Sequence, residues 1–136
     1  MNKFKKKLSI IIPVYNEKNT VGKLLKKIYK LNDIAKEIIV INDGSTDGTR
    51  TVLEKNKNKI THLINHKKNM GKGAAIKTAQ KLIQGDIVLI QDADLEYDPD
   101  DYYKLLNAIY NGSEVVYGSR VLGKNRYLTK NFSSLS

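Results

Sequence analysis

The chain has 136 residues, 40% of them hydrophobic, which suits one globular domain and rules against a disordered chain. It contains no cysteine, so a disulfide framework, a thiolate metal site and a cysteine nucleophile are excluded. The formal net charge of +10 comes mostly from lysine and suits anionic partners such as nucleotides or phospholipid headgroups. Nucleic acid is not expected, because no recognised binding motif accompanies the charge.

Met1 to Lys7 reads as a solvated basic tail carrying Lys3, Lys5, Lys6 and Lys7. Such a tail is worth about 1 kcal/mol per charge near an anionic surface. No run approaches the roughly 18 apolar residues of a membrane span, and no small-residue cleavage site marks a signal peptide. The expected location is cytoplasmic, with peripheral contact at an anionic membrane face.

Leu8–Ile12 is a short apolar run rich in β-branched residues, the pattern of a strand buried on both faces. Pro13 lacks a backbone donor and ends its pairing, and Val14-Tyr15-Asn16-Glu17 follows as a loop. Asn19 or Thr20 caps a helix in which Val21, Leu24, Leu25 and Ile28 share one face. Glu37–Ile41 predicts the second strand. It leads through Asn42-Asp43-Gly44-Ser45-Thr46-Asp47-Gly48-Thr49 into a short helix carrying Val52 and Leu53. Ile60–Ile64 predicts a third strand. The polar loop Asn65–Gly73 opens a helix with Ile76, Ala79, Leu82 and Ile83 on one face, and Gly85 stands where a C-capping glycine belongs.

Ile87–Ile90 is the strand around which the rest is organised. Asp92, Asp94, Glu96 and Asp98 follow it at alternate positions. In extended chain such residues share a side, so several carboxylates would face one point beyond the strand's carboxyl end. Crowded like charges repel and favour a bound cation. Mg²⁺ or Mn²⁺ fits, since both take carboxylate oxygens and commonly bridge them to substrate phosphate. Asp98 differs: Asp98-Pro99-Asp100-Asp101 is a helix start, with Asp98 as N-cap and acids in the first turn. The helix places Tyr102, Leu105, Leu106 and Ile109 on one side and ends at Asn111-Gly112. Glu114–Gly118 predicts a fifth strand, and Ser119–Ser136 has no strong period.

Strands alternating with helices predict an α/β fold: a doubly wound, mostly parallel sheet with helices on both faces. With strand order 3-2-1-4, strands one and four meet at the switch point, where ligands bind outside the carboxyl ends. Three acid-bearing loops, 14–17, 42–47 and 92–98, leave the sheet at that edge. Lys72 follows Gly71 at a helix start, where backbone donors and the dipole favour anions; the P-loop spacing is absent. His62 and His66 lie off these loops and read as structural or solvent-facing.

Taken in order, Pro13-Val14-Tyr15-Asn16-Glu17, Asn42 to Thr49, Asn69-x-Gly71-Lys72-Gly73-Ala74-Ala75, Asp92-Ala93-Asp94 and Gly118-Ser119-Arg120 resemble the successive motifs of inverting family 2 glycosyltransferases of GT-A fold. Among these, the dolichol- or polyprenyl-phosphate mannosyl- and glucosyltransferases carry a similar Gly-Asp-x5-Asp-Ala-Asp-Leu-x3-Pro run. The resemblance covers Leu8 to about Gly123. It implies that Pro13, Tyr15 and Glu17 hold a nucleotide and that Asp43 recognises its base or ribose. Asp92 and Asp94 would be the catalytic carboxylates at metal and sugar, with Glu96 as a further metal ligand. Arg120 would clamp phosphate. Many relatives carry Asp where this chain has Asn42.

The expected activity is transfer of a hexose, mannose or glucose, from a nucleotide diphosphate sugar to a polyprenyl or dolichyl phosphate, dependent on Mg²⁺ or Mn²⁺. Residues 1–7 form the tail, 8–123 the nucleotide-sugar-binding domain, and 124–136 a basic tail opening an acceptor-binding half that the family continues. The alternative is a truncated, inactive donor-binding module that needs a partner chain; self-association or a complementing chain is expected among its partners. A phospho-receiver domain is set aside, because its acidic cluster belongs after strand one, where Pro13-Val14-Tyr15-Asn16-Glu17 stands.

Overall fold

The computed structural model describes residues 6–96, 98–110, 115–117 and 126–129. In chain order the elements are β1 (Leu8–Val14), α1 (Val21–Tyr29), β2 (Lys36–Asp43), α2 (Thr49–Lys55), β3 (His62–His66), α3 (Lys72–Gln80), β4 (Ile87–Ile90), α4 (Tyr102–Tyr110), β5 (Val115–Tyr117) and β6 (Arg126–Thr129). The strands form one sheet in the order β3-β2-β1-β4-β6-β5. β1 runs parallel to both β2 and β4, and β2 parallel to β3. β6 is antiparallel to both β4 and β5. The α/β sheet with β1 and β4 as neighbours at its centre is the arrangement the sequence pattern predicts.

Alternation along the central strands sorts their side chains onto two faces. Ile10, Ile12, Ile38, Val40, Ile87 and Leu89 pack with the apolar stripes of α1, α2 and α4. Ile11, Ile39, Ile41, Val88 and Ile90 pack on the other face with Ala75 and Ala79 of α3. Each such side chain contributes roughly 1.5–3 kcal/mol when fully buried, which is why β1, β2 and β4 need no polar face.

Buried polar bonds fix the entry to β4. Glu37 Oε2 accepts from the Ser9 hydroxyl (2.5 Å) and from the Gln84 amide (2.7 Å), and the Gly85 amide donates to Ser9 Oγ (2.8 Å). A Cβ on Gly85 would collide with Ser9 Oγ and the Lys7 carbonyl. Gly85 is therefore a close-approach glycine rather than a helix cap; α3 ends at Gln80 with Lys81 as its C-cap, and Leu82 and Ile83 pack from beyond the helix. Lys7 is also no part of a free tail: its amide donates to Asp86 Oδ2 (3.0 Å).

Two strands depart from the sequence pattern. β3 starts two residues after Ile60, because Thr61 is tied to Ile38 by its amide and side chain before strand pairing begins. β6 arises within a stretch that shows no period. Asn111, Gly112 and Gly118 lie outside the described residues.

Candidate functional site

The loop after β1 is locked to the loop after β2. Asn16 adopts a left-handed backbone (φ 52°), which Asn tolerates better than most residues. Its amide donates to Ser45 Oγ (3.0 Å), and its side-chain carbonyl accepts from the Thr46 amide (2.7 Å). The Glu17 amide donates to Thr49 Oγ1 (3.0 Å), whose own proton goes to Asp47 Oδ1 (2.5 Å). That bond from Thr49 holds the Asp47 carboxyl below its ordinary pKa. On the other side, the Thr20 hydroxyl lies 2.6 Å from both the Ala93 carbonyl and Glu17 Oε2. Thr20 is thus the N-terminal flank of α1, as expected, but its side chain bridges loops instead of capping the helix.

Asp43, 3% exposed at the end of β2, organises the loop that leads into α3. Its Oδ1 accepts from the Met70 amide (2.9 Å) and its Oδ2 from the Gly71 amide (2.8 Å). His66, at the end of β3, places Nδ1 2.8 Å from Asp43 Oδ1 and Nε2 2.9 Å from Thr78 Oγ1 on α3. Burial alone would push the Asp43 carboxyl up; the bonds from His66, Met70 and Gly71 outweigh it and hold its pKa below the ordinary value. Gly44 has φ +73°, and a Cβ there would collide with the Lys68–Asn69 backbone, so the turn requires glycine. Asn42 is used internally: its Nδ2 donates to Asn65 Oδ1 (2.8 Å). His66 is structural, as expected, but it does not lie off the crevice loops. It faces the crevice acid, and no spacing in the sequence reveals a pairing between neighbouring parallel strands.

The loop after β4 is held by its carbonyls. Gln91 Nε2 donates to the Asp92 carbonyl (3.0 Å), and the buried Tyr102 hydroxyl donates to Gln91 Oε1 (2.6 Å). The Ala93 carbonyl is the one met by Thr20. The loop is not extended: Asp94 Oδ1 accepts from the Glu96 amide (3.1 Å), and Leu95 is left-handed (φ 65°). That turn breaks the expected alternation. Among the described residues no three acidic or histidine side chains converge on one point. Asp98 behaves as expected, accepting from the Asp100 amide (3.0 Å) with Pro99 beginning the helical turn.

The Lys72 ammonium lies 2.6 Å from Asp92 Oδ1. One or two carboxylates completed by substrate phosphate is the usual Mg²⁺ arrangement. Asp92 lines the pocket and Asp94 stands in the loop after it, which among the described residues is a sparse donor set of that kind and not a cage built of protein side chains alone.

A pocket of about 350 Å³ opens between the carboxyl ends of β1, β2 and β4. Its lining includes Pro13, Tyr15, Asp43, Lys72 and Asp92, all singled out from the sequence, together with Val14, Asn69, Gly71 and Ala75. Glu17 sits behind it in the loop lock, while Asp94 and Glu96 lie in the loop that follows Asp92. Arg120 lies outside the described residues.

Comparison with known proteins agrees with this geometry. The family model described as glycosyl transferase family 2 matches residues 9–134. A dolichol-phosphate mannosyltransferase of Pyrococcus furiosus is 35% identical over 116 residues, 84% of this chain and 33% of the relative. A dolichyl-phosphate β-glucosyltransferase of Trichomonas vaginalis is 35% identical over 134 residues, 88% of this chain and 41% of the relative. The chain thus spans well under half the length of these curated relatives. Among solved structures, a Pyrobaculum calidifontis mannosyltransferase in complex with GDP-Man and Mn²⁺ superposes with a TM-score of 0.66 at 29% identity, covering 79% of this chain and 32% of that one. Residues 1–349 of Staphylococcus aureus TarS in complex with UDP give 0.69 at 28%, covering 86% and 38%. The parallel sheet, the loops gathered at its switch point and the family match along almost the whole chain place this protein in glycosyl transferase family 2, with the GT-A fold.

Proposed function

We propose that the pocket between β1, β2 and β4 holds a nucleoside diphosphate sugar, from which a hexose passes to a polyprenyl or dolichyl phosphate with inversion. The observation that carries this is the gathering of Tyr15, Asp43, Lys72 and Asp92 around one pocket at the switch point. Tyr15, 47% exposed at its rim, offers an aromatic face to a base. Asp43 has three of its roughly four lone-pair sites occupied by His66, Met70 and Gly71, which leaves one acceptor for a nucleoside N–H or hydroxyl. Lys72, with Arg120, meets the diphosphate. The Pyrococcus furiosus mannosyltransferase and Trichomonas vaginalis glucosyltransferase relatives support the sugar and acceptor classes.

Asp92 and Asp94 would hold Mg²⁺ or Mn²⁺, with Glu96 as the outer candidate beyond the Leu95 turn. The metal, when bound, neutralises charge developing on the departing diphosphate. The protein orients the sugar carbon toward the acceptor. A phosphate monoester, with a second pKa of about 6, is already ionised near neutral pH, so orientation and charge stabilisation suffice without a base on this chain. The basic surface offers peripheral contact with an anionic membrane, where such an acceptor resides.

A thermal-shift screen of nucleotide sugars tests this. At least one UDP- or GDP-hexose should raise Tm in Mn²⁺, and EDTA should reduce the shift. No shift with any nucleotide sugar would contradict the proposal.

A further inference from the structure

We infer that Lys72 is a latch on Asp92, which makes metal binding conditional on the donor's diphosphate. This rests on the proposed donor site. Lys72 is the first residue of α3, and its ammonium reaches across the pocket to Asp92 Oδ1 at 2.6 Å. The Asp92 side chain is 17% exposed and that of Lys72 44% exposed, so the carboxylate is sheltered while the ammonium keeps contact with water. The two ends are held separately. The backbone before Lys72 is fixed by the Met70 and Gly71 amides on Asp43, and the Asp92 carbonyl is fixed by Gln91. Between that fixed backbone and the charge lie the four carbons of the lysine stem.

An ammonium on Asp92 Oδ1 has two consequences. A divalent ion arriving alone must displace the ammonium or share its carboxylate with a like charge at close range. A diphosphate arriving in the pocket offers Lys72 a second anion, on the same side of the helix start where backbone amides favour phosphate. With Lys72 turned to it, Asp92 would serve, together with phosphate oxygens, as a ligand for Mg²⁺ or Mn²⁺. The metal and the nucleotide therefore bind cooperatively. Part of the coupling comes from direct phosphate ligation and part from release of the latch, and only the second part depends on Lys72.

Calorimetric titration of Mn²⁺ into the wild-type chain and Lys72→Met, with and without UDP or GDP, separates these parts. Wild type should bind Mn²⁺ roughly tenfold more tightly with the matching nucleotide present. Lys72→Met should bind Mn²⁺ alone about fivefold more tightly than wild type does, as expected for loss of a partly exposed ion pair. Lys72→Arg, which keeps the charge, should remain close to wild type. Mn²⁺ affinity unchanged by Lys72→Met in the absence of nucleotide would overturn the latch. Failure of every nucleotide to bind would overturn the proposed function instead, while the metal-alone comparison would still decide for or against the latch.

Discussion

The two walls of the crevice are built on opposite principles. On the β2 side, the partners of the Asp43 carboxylate among the described residues are other parts of the fold: His66, the Met70 amide and the Gly71 amide. On the β4 side, the loop is anchored through the carbonyls of Asp92 and Ala93, and the Asp92 carboxylate is met by a lysine stem reaching across the pocket. The first wall spends its charge on holding shape. The second leaves charge available for exchange with a ligand. Substitutions on the β2 side should therefore cost stability, and substitutions on the β4 side should cost binding while leaving the fold in place.

Removing the acid from the first wall should have the largest effect. Asp43→Ala leaves His66 and two backbone amides without their buried acceptor, and should destabilise the fold by roughly 2–4 kcal/mol, read as a lower midpoint in urea unfolding. Gly44→Ala comes next at about 2 kcal/mol, from a Cβ in left-handed backbone that also meets the Lys68–Asn69 backbone. A loss of less than half that would show that the turn is free to shift.

Acid should act on the same wall. The folded pKa of Asp43 lies below the unfolded value of about 3.9, so the contribution of its ionised form is present above that value and is lost as pH falls through the folded pKa. Urea unfolding of wild type should weaken over that acid range, and Asp43→Ala should show a flatter decline. Parallel curves would separate acid sensitivity from Asp43.

Tyr102→Phe tests what supports the second wall. It removes the hydroxyl donor to buried Gln91 and should cost about 1 kcal/mol. Donor binding should weaken with it, because Gln91 holds the Asp92 carbonyl. The smallest stability change belongs to Asp94→Asn, which keeps the side-chain oxygen that accepts from the Glu96 amide. Its stability should stay within about 0.5 kcal/mol of wild type, while the Mn²⁺ dependence of nucleotide binding shrinks in calorimetry. A large stability loss here would erase the contrast between the walls.

The same contrast explains what the sequence discloses. β1, β2 and β4 are legible because they are buried on both faces and so carry short apolar runs, Ile10–Ile12, Ile38–Ile41 and Ile87–Ile90. β3 is at the sheet's edge with all its residues half-buried, and its pattern misplaces the start by two residues. β6 pairs antiparallel with a strand far away in sequence, and such pairing leaves no local period. In the site, the acids of the motifs are visible as residue types, but their partners are not. His66 meets Asp43 only because β2 and β3 pair with Asp43 opposite His66. The alternating acids after β4 suggest a row, and a single Asp94 side chain turning back on the Glu96 amide breaks it.

The central claim is that the crevice at the carboxyl ends of β1 and β4 is a nucleotide-sugar site. Amide chemical-shift mapping by NMR tests it most directly, with UDP- and GDP-sugars titrated into the labelled chain in Mg²⁺. The account predicts saturable shifts centred on Tyr15, Asp43, Met70, Gly71, Lys72 and Asp92 with one of the two nucleotides. Absence of shifts there, or saturable shifts centred instead on the polar pocket lined by Tyr29, Lys36 and Lys59, would contradict it.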